Sequence, residues 1–185
     1  MLYRLARGIL RLYFSLCRGW VVEGVENIPE EGELIVVANH SSYQDPLILG
    51  AAMTRPVNFM GKVELFRYPL FGSLLRLLGA FPVKRKAVDR AAIRHALAIL
   101  AERKVLGMFP EGTRSKTGQL GEAQAGVVLL ATKSGAPILP AGIKRGRGRG
   151  GVVIRFGKPF YLEAEGRERR EAGKRIMAEI ASLLS

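Results

Sequence analysis

The segment "ELIVVANHSSYQDPLILGAAM", residues 33–53, decides the fold class. Its first part, residues 33–39, has the length and the apolar composition of a buried β-strand. Its last part begins with Asp45 and Pro46, which favour the N-cap and the first position of a helix. A polar turn that starts at His40 joins the two parts. A strand, a short turn and a helix in this order form the repeating unit of α/β proteins.

The rest of the chain continues this alternation. A strand running into a polar turn is expected over residues 105–115, with further strands within 56–62, 80–85, 136–143 and 151–160 and helices at 68–79, 88–104, 123–134 and 166–184. We therefore predict an α/β fold in a single domain, residues 21–185, with a largely parallel or mixed central sheet flanked by helices. In such sheets, binding sites gather at the carboxyl ends of the strands.

The charge of the chain is strongly unbalanced. Lys and Arg number 29 against 16 Asp and Glu, which gives a formal net charge of +13. This surplus predicts an anionic partner, either nucleic acid or an anionic membrane surface. The single cysteine excludes an internal disulfide framework, and the two histidines lie far apart in sequence, so a His/Cys zinc site lacks ligands. We expect no metal.

Membrane insertion by a spanning helix is not predicted. No stretch offers about 20 uninterrupted apolar residues. The N-terminus also lacks a cleavage site of small residues behind an apolar core, as a signal peptide would have. We expect the chain to remain on the cytoplasmic side.

The N-terminal segment "MLYRLARGILRLYFSLCRGW", residues 1–20, has the pattern of an amphipathic helix. At about 100° per residue, its arginines fall in a narrow stripe opposite a wide arc of leucines and aromatic rings. This pattern suits a helix at a membrane interface, although it also fits a terminal helix that packs on the core, and the two interpretations are compatible. The predicted membrane-binding residues are Arg4, Arg7, Arg11, Arg18, Phe14 and Trp20.

His40 and Asp45 are candidates for proton transfer. A neutral imidazole, with an ordinary pKa of about 6.5, can take a proton from a hydroxyl group, and a carboxylate on its other nitrogen holds the ring tautomer. The same residues also fit a simple turn before a helix. No serine or cysteine has the sequence context of a nucleophile, so the hydroxyl is expected to belong to the substrate.

The segment "FPEGTRS", residues 109–115, is a candidate phosphate site. Gly112 permits close backbone approach, Thr113 offers a hydroxyl, and Arg114 can bind a phosphate bidentately, with Glu111 beside it. Lys62 and Arg85 are further candidates, and each of these basic residues also fits a solvated surface charge.

These segments together resemble a known family. "NHSSYQDP", residues 39–46, is similar to the His-x4-Asp motif of the glycerolipid acyltransferases, the 1-acylglycerol-3-phosphate acyltransferase family. "GKVEL" at 61–65, "GAFPVKR" at 79–85, "FPEGTRS" at 109–115 and "APILPAGI" at 136–143 resemble further family segments in the family's order. The resemblance covers residues 33–161.

The resemblance implies an enzyme that transfers a fatty acyl group from a thioester to the sn-2 hydroxyl of lysophosphatidic acid and makes phosphatidic acid. His40 is then the general base and Asp45 its partner. The implied phosphate-binding residues are Arg114, Glu111, Gly112, Thr113, Lys62 and Arg85. Acyl-CoA or acyl carrier protein donates the acyl group, and no cofactor is needed. We expect a peripheral or monotopic enzyme on the cytoplasmic face of the cell membrane.

Two alternatives remain at this point. Relatives with the same motifs acylate glycerol 3-phosphate or other lysolipids. A function of another class, a basic nucleic-acid-binding module, is suggested by the net charge and by the loop "KRGRGRGG", residues 144–151. Because aromatic residues do not interleave with the arginines of this loop, we expect no nucleic-acid partner.

Overall fold

The computed structural model describes residues 2–84, 89–115, 117–146, 151–163 and 168–185. The helices in these ranges are α1 (Leu2–Arg18), α2 (Asp45–Ala52), α3 (Pro69–Leu77), α4 (Arg90–Ala101), α5 (Ala125–Ser134) and α6 (Arg169–Ser182). The strands are β1 (Val21–Glu23), β2 (Leu34–Ala38), β3 (Val57–Lys62), β4 (Phe81–Val83), β5 (Val105–Met108), β6 (Ile138–Arg145) and β7 (Val152–Phe156). Two short 3₁₀ helices span Val25–Asn27 and Val63–Arg67.

The strands form one mixed sheet in the order β1-β7-β6-β2-β5-β3-β4. Neighbouring strands are parallel except β6 and β7, which are antiparallel. The predicted α/β fold with helices around a largely parallel or mixed sheet is confirmed. The three-residue strand β1 was not predicted, because a segment this short carries no periodic pattern.

β2 is the central strand of the sheet, and all five of its residues are buried. Both faces of the strand are covered, which is why its sequence is continuously apolar instead of alternating. On one face, its side chains join a core with α4, α5 and α6. On the other face, they join a core that includes α2 and Phe14 of α1. The loop after β2 therefore starts from a rigid position between β5 and β6.

Two arginines of the α1 stripe, Arg7 and Arg11, face the protein. The guanidinium of Arg7 donates to the carbonyl oxygens of Met53 at 3.2 Å and Thr54 at 2.6 Å. The guanidinium of Arg11 donates from Nε to the carbonyl of Ala51 at 2.7 Å and from Nη2 to that of Ala52 at 3.3 Å. These carbonyls lie at or just beyond the C-terminus of α2, where helix carbonyls lack partners within their own helix and favour positive charge.

This orientation changes the predicted membrane-binding set. Arg7 and Arg11 are bound to α2, and Phe14 is 1% exposed, so these three side chains face the core instead of the surroundings. Trp20 is half-buried and stacks on Phe14 with ring centroids 5.5 Å apart. Arg4 is exposed. The side chain of Arg18 lies outside the described part of the structure.

The other side of α1 is apolar and open. Its most exposed large residues are Leu5, Ile9, Leu12 and Leu16. Among the residues that the structure describes, no helix is both long enough and apolar enough to cross a membrane.

Candidate active site

The loop between β2 and α2 brings His40 and Asp45 into contact. Nδ1 of His40 lies 3.0 Å from Oδ2 of Asp45. Both side chains are buried, Asp45 completely. A buried histidine and a buried carboxylate five residues apart, at the carboxyl end of a central strand, fit a proton-transfer pair better than a solvated turn.

Asp45 is the first residue of α2, and its carboxylate turns back toward the loop. Oδ2 accepts hydrogen bonds from the backbone N–H groups of Ser41 at 2.7 Å and Ser42 at 2.6 Å. The expectation that Asp45 is the N-cap is wrong: Gln44 is the N-cap residue, without a side-chain capping bond. The Asp45 carboxylate cannot reach the N–H groups of its own helix while it holds the loop and the imidazole.

The protonation state of Asp45 follows from its surroundings. Burial by itself would raise the pKa of this carboxyl group, because a charge is less stable away from water. Hydrogen bonds from His40, Arg145, Ser42 and Ser41 outweigh burial, and the net effect lowers the pKa of Asp45. The carboxylate is therefore ionised at neutral pH and accepts the hydrogen bond from His40. In the neutral imidazole this network assigns the proton to Nδ1 and leaves Nε2 with its lone pair available.

The loop after β5 holds the backbone of His40. The N–H of His40 donates to Oε1 of Glu111 at 3.1 Å, and the His40 carbonyl accepts from the N–H of Ser115 at 2.7 Å. The imidazole stacks on the ring of Phe109, with centroids 4.2 Å apart. Oε2 of Glu111 accepts from the N–H of Gly121 at 3.3 Å. Glu111, predicted to help bind phosphate, joins the two loops through Oε1 and binds within its own loop through Oε2.

Arg114 lies at the surface beside this pair. Its Nη2 donates to the hydroxyl of Tyr43 at 2.8 Å, and its guanidinium lies 3.5 Å from the centroid of the Tyr43 ring. Tyr43 comes from the loop after β2, so the two loops meet here as well. Glu111, Thr113 and Arg114 line a cleft of about 360 Å³. Three residues of the predicted phosphate site are therefore together, next to the predicted base.

The backbone at Gly112 requires glycine, while its predicted role, close approach of the backbone to a bound phosphate, stays a prediction. Its φ of 69° lies in the left-handed region, and an added Cβ would be 3.1 Å from Cγ of Gln124. A side chain here would be strained by both the backbone and the neighbour.

The remaining two phosphate candidates are less closely connected to the site. Lys62 ends β3 at the same edge of the sheet, and its Nζ lies 3.3 Å from Oε1 of Glu64. β5 separates β3 from β2. Arg85 lies outside the described residues, so its assignment stays a prediction.

Two residues of the site were not singled out from the sequence. Arg145, at the end of β6, donates from Nη2 to Oδ1 of Asp45 at 2.6 Å and from Nη1 to Oε1 of Gln44 at 3.1 Å. The Asn39 side chain is paired with the backbone of Ile143, accepting from its N–H at 2.7 Å and donating to its carbonyl at 2.9 Å. Arg145 was counted with the basic Gly-Arg loop. Extending the predicted strand two residues beyond 143 would have placed it at the active edge.

A protein-family model described as "Acyltransferase" matches residues 20–144, which is more than half of the chain. The chain belongs to the acyltransferase family. The resemblance seen in the sequence motifs is thereby confirmed. The matched range includes His40, Asp45 and Arg114 and ends one residue before Arg145.

Three curated relatives of this acyltransferase share the name 1-acyl-sn-glycerol-3-phosphate acyltransferase. The chain is 30% identical over 165 residues to the Bacillus subtilis enzyme, and the match covers 89% of this chain and 81% of the relative. It is 32% identical over 163 residues to the enzyme of that name from Pseudomonas aeruginosa, covering 78% of this chain and 60% of the relative. The match to the Borreliella burgdorferi enzyme, at 34% identity, covers 65% of this chain and about half, 49%, of the relative.

A solved crystal structure has the same fold as this chain. The crystal structure of the 1-acyl-sn-glycerophosphate (LPA) acyltransferase PlsC from Thermotoga maritima superposes with a TM-score of 0.75 at 28% sequence identity. The similarity covers 98% of this chain and 79% of the Thermotoga chain. The arrangement of α1, the mixed sheet and the surrounding helices is therefore a fold already seen in a lysophosphatidic acid acyltransferase.

Proposed function

We propose that this acyltransferase moves a fatty acyl group from a thioester to the sn-2 hydroxyl of lysophosphatidic acid and forms phosphatidic acid. The observation that carries the proposal is the His40–Asp45 pair, whose Nδ1–Oδ2 contact leaves Nε2 of the imidazole available as a base. The relatives named 1-acyl-sn-glycerol-3-phosphate acyltransferase support the choice of acceptor.

The proposed reaction follows from this geometry. Nε2 of His40 takes the proton of the sn-2 hydroxyl while the hydroxyl oxygen attacks the thioester carbonyl carbon. The tetrahedral intermediate collapses, the C–S bond breaks, and the departing thiolate takes the proton from the imidazolium. Asp45 stabilises the imidazolium while it exists. The donor is acyl-CoA or an acyl carrier protein thioester, and the residues described perform the proton transfers without a cofactor.

Arg114 is the proposed ligand of the acceptor's phosphate. Its guanidinium is exposed at a cleft that Thr113 also lines, and the Tyr43 ring holds it in one orientation. A planar guanidinium can bind a phosphate with two parallel hydrogen bonds. Gly112 keeps this loop close to the base. Lys62 and Arg85 remain proposals for further phosphate contact.

The test compares acyl transfer by the purified protein with that of His40→Ala and of the matched control His95→Ala. His95, the second histidine, lies exposed on α4 and contacts the ring of Phe81. Loss of general-base catalysis should lower kcat by about 10²–10⁴-fold in His40→Ala and leave His95→Ala unchanged. Lysophosphatidic acid and glycerol 3-phosphate are offered separately, each with acyl-CoA or acyl carrier protein thioester. Undiminished turnover by His40→Ala contradicts the mechanism, and preference for glycerol 3-phosphate contradicts the acceptor.

We also propose that one face of the enzyme lies on an anionic membrane surface. Exposed apolar side chains gather on two helices: Leu5, Ile9, Leu12 and Leu16 on α1, and Leu70, Phe71, Leu74 and Leu77 on α3. Both helices lie on the same side of the sheet. Val57 and Gly61 of β3 are four residues apart in a strand and face the same side, where Val57 belongs to the core beneath α1 and α2. Phe66 packs on Gly61 on that side, and α3 packs on Phe66 through Gly72.

The basic charge of the chain supports an anionic membrane surface as the partner of this apolar face. The net charge is +13, and Arg4, Arg67 and Arg76 on or beside the two helices are exposed. Apolar side chains that enter the acyl boundary, with arginines at the level of the phosphates, are typical of interfacial helices. That the leaflet is the cytoplasmic one stays a sequence-based prediction.

The membrane proposal is tested by flotation with vesicles of phosphatidylcholine alone or with phosphatidylglycerol. Leu12→Gln with Leu16→Gln, and Leu70→Gln with Leu77→Gln, should each weaken binding. The control Tyr161→Gln replaces an exposed apolar residue on neither helix and should have no effect. Binding to anionic vesicles should fall as salt rises. Equal flotation of all variants contradicts the proposal.

A further inference from the structure

We propose that Arg145 is a positioning residue for the base: it holds the Asp45 carboxylate in the rotation that presents Oδ2 to His40. The inference rests on the proposed function, since it assigns a role within the same proton-transfer site. It adds a third side chain, one hundred residues distant in sequence from Asp45, to the predicted pair.

The contacts of Asp45 are divided between its two oxygens. Oδ2 faces Nδ1 of His40 and the two N–H groups of the loop, while Oδ1 receives Nη2 of Arg145 at 2.6 Å. Rotation of the carboxylate about its Cβ–Cγ bond moves both oxygens away from these partners. The guanidinium at Oδ1 adds a contact on the second oxygen to the three at Oδ2, and so makes this rotation less favourable. Oδ2 therefore remains directed at the imidazole.

The backbone of β6 brings Arg145 to this position. Asn39, the residue after β2, pairs through its side-chain amide with both the N–H and the carbonyl of Ile143. This fixes the end of β6 against the start of the catalytic loop, two residues before Arg145. Successive strand residues point to opposite sides, so Lys144 is directed to solvent and Arg145, on the side of Ile143, is directed to the loop.

The guanidinium of Arg145 is held by the loop between β2 and α2. Both Nη groups donate to side chains of adjacent residues, Gln44 and Asp45. Its Nε–H is buried and has no acceptor among the described residues. An orientation that leaves one buried donor unpartnered is stable only when the other contacts outweigh that loss. The two bonds to the catalytic loop therefore determine where this side chain lies.

Three charged side chains lie near His40 and Asp45, and Arg145 differs from the other two in its contact with Asp45. In the described ranges, Arg145 is the cation that contacts Asp45, and Glu111 is the acid from the neighbouring β5 loop, bound to the N–H of His40. Arg114 is turned toward Tyr43. Without Arg145, the Asp45 carboxylate would be less constrained in rotation, and its contact with His40 would be less well aligned.

The alternative role for Arg145 is direct binding of the substrate phosphate. The structure favours positioning, because both Nη groups already have acceptors in the protein. The two roles differ in kinetics: a phosphate ligand acts on KM for the acceptor, whereas a positioning residue acts on kcat.

The experiment measures acyl transfer by Arg145→Gln, Arg145→Lys and the control Lys144→Gln. We expect Arg145→Gln to lower kcat about tenfold to a hundredfold, the range typical for partners of a catalytic group, with KM for lysophosphatidic acid changed less than about threefold. Arg145→Lys keeps the charge without the two-donor geometry and should recover part of kcat. Lys144→Gln loses the same charge from the adjacent, exposed position and should match the unaltered protein.

A double-mutant cycle tests whether Arg145 acts through Asp45. In an Asp45→Asn background, adding Arg145→Gln should cause little further loss, because the group that Arg145 positions is already changed. A full additional loss in that background overturns the proposal, as does a rise in KM with unchanged kcat.

A second measurement needs no activity and so separates this inference from the proposed reaction. The chain has two histidines, so the imidazole resonances can be followed by NMR and assigned with His95→Ala. The His40 Nδ1–H signal lies downfield because this group donates to Asp45; it should move upfield in Arg145→Gln, where that hydrogen bond is weakened, and stay in place in Lys144→Gln. An unmoved signal in Arg145→Gln overturns the proposal even if acyl transfer is confirmed. A moved signal upholds the Arg145–Asp45–His40 coupling even if the substrate proves different.

Discussion

Glu111 binds His40 through the main chain and not through the imidazole: the backbone N–H of His40 donates to Oε1 of Glu111 at 3.1 Å. The second carboxylate oxygen accepts from the N–H of Gly121. The acid of the "FPEGTRS" segment thus holds the loop that carries the proposed base, and in the fold it serves as a buried acceptor for two N–H groups.

This contact predicts different effects for two substitutions of Glu111. Glu111→Gln keeps one oxygen acceptor and should retain much of the activity. Glu111→Ala leaves the buried N–H of His40 without a partner, which costs about 1–3 kcal/mol and lets the loop shift. We expect a lower free energy of unfolding together with a lower kcat in Glu111→Ala, measured by urea unfolding and by acyl transfer. Equal effects of both substitutions would contradict the assignment.

The lowered pKa of Asp45 predicts how stability depends on pH. The unfolded chain binds a proton at Asp45 near the ordinary value of about 3.9, while the folded protein binds it only at lower pH. The ionised Asp45 carboxylate therefore stabilises the folded protein fully above the ordinary pKa, and this stabilisation is lost as pH falls through the pKa of Asp45 in the folded protein. Asp45→Asn lacks this dependence. The difference in the free energy of unfolding between the two proteins should narrow as pH falls below about 4, and a difference that does not narrow contradicts the prediction.

Tyr43 should affect substrate binding through Arg114. Tyr43→Phe removes the hydroxyl that accepts from Nη2 and keeps the ring under the guanidinium, whereas Tyr43→Ala removes both contacts. An exposed cation–π contact contributes about 0.5–1 kcal/mol. We expect KM for lysophosphatidic acid to rise about twofold in Tyr43→Phe and about fivefold or more in Tyr43→Ala, with kcat little changed. A larger effect in Tyr43→Phe than in Tyr43→Ala would show that the ring does not orient Arg114.

Two arginines of α1 should differ in what they stabilise. Arg11 donates to the carbonyls of Ala51 and Ala52 at the end of α2, so Arg11→Met should lower the free energy of unfolding by about 1–2 kcal/mol. Arg4 is exposed, so Arg4→Met should leave stability unchanged and weaken flotation with anionic vesicles. Thermal unfolding and vesicle flotation of both variants check this contrast. Equal losses of stability would contradict the inward orientation of Arg11.

The local features of the site were predictable from the sequence. His40 and Asp45 are five residues apart, so the turn between β2 and α2 is enough to bring them together. The grouping of "NHSSYQDP" with "FPEGTRS" at one edge also followed from the alternation of strands and helices, because parallel strands end at the same edge of a sheet. The predicted N-cap role of Asp45 was wrong because the carboxylate has better partners in the loop than in its own helix.

The α/β alternation, the amphipathic pattern of α1 and the spacing of His40 and Asp45 depend on neighbours along the chain, and each could be predicted from the sequence. The choice of strands that flank β2 depends on contacts between distant segments, and with it the placement of Arg145 on Asp45 and of Glu111 on His40. The fold also turns Arg7 and Arg11 of α1 inward. A helical pattern defines the angles between side chains around an axis, but the rotation of the helix depends on its partner, here the unpaired carbonyls at the end of α2.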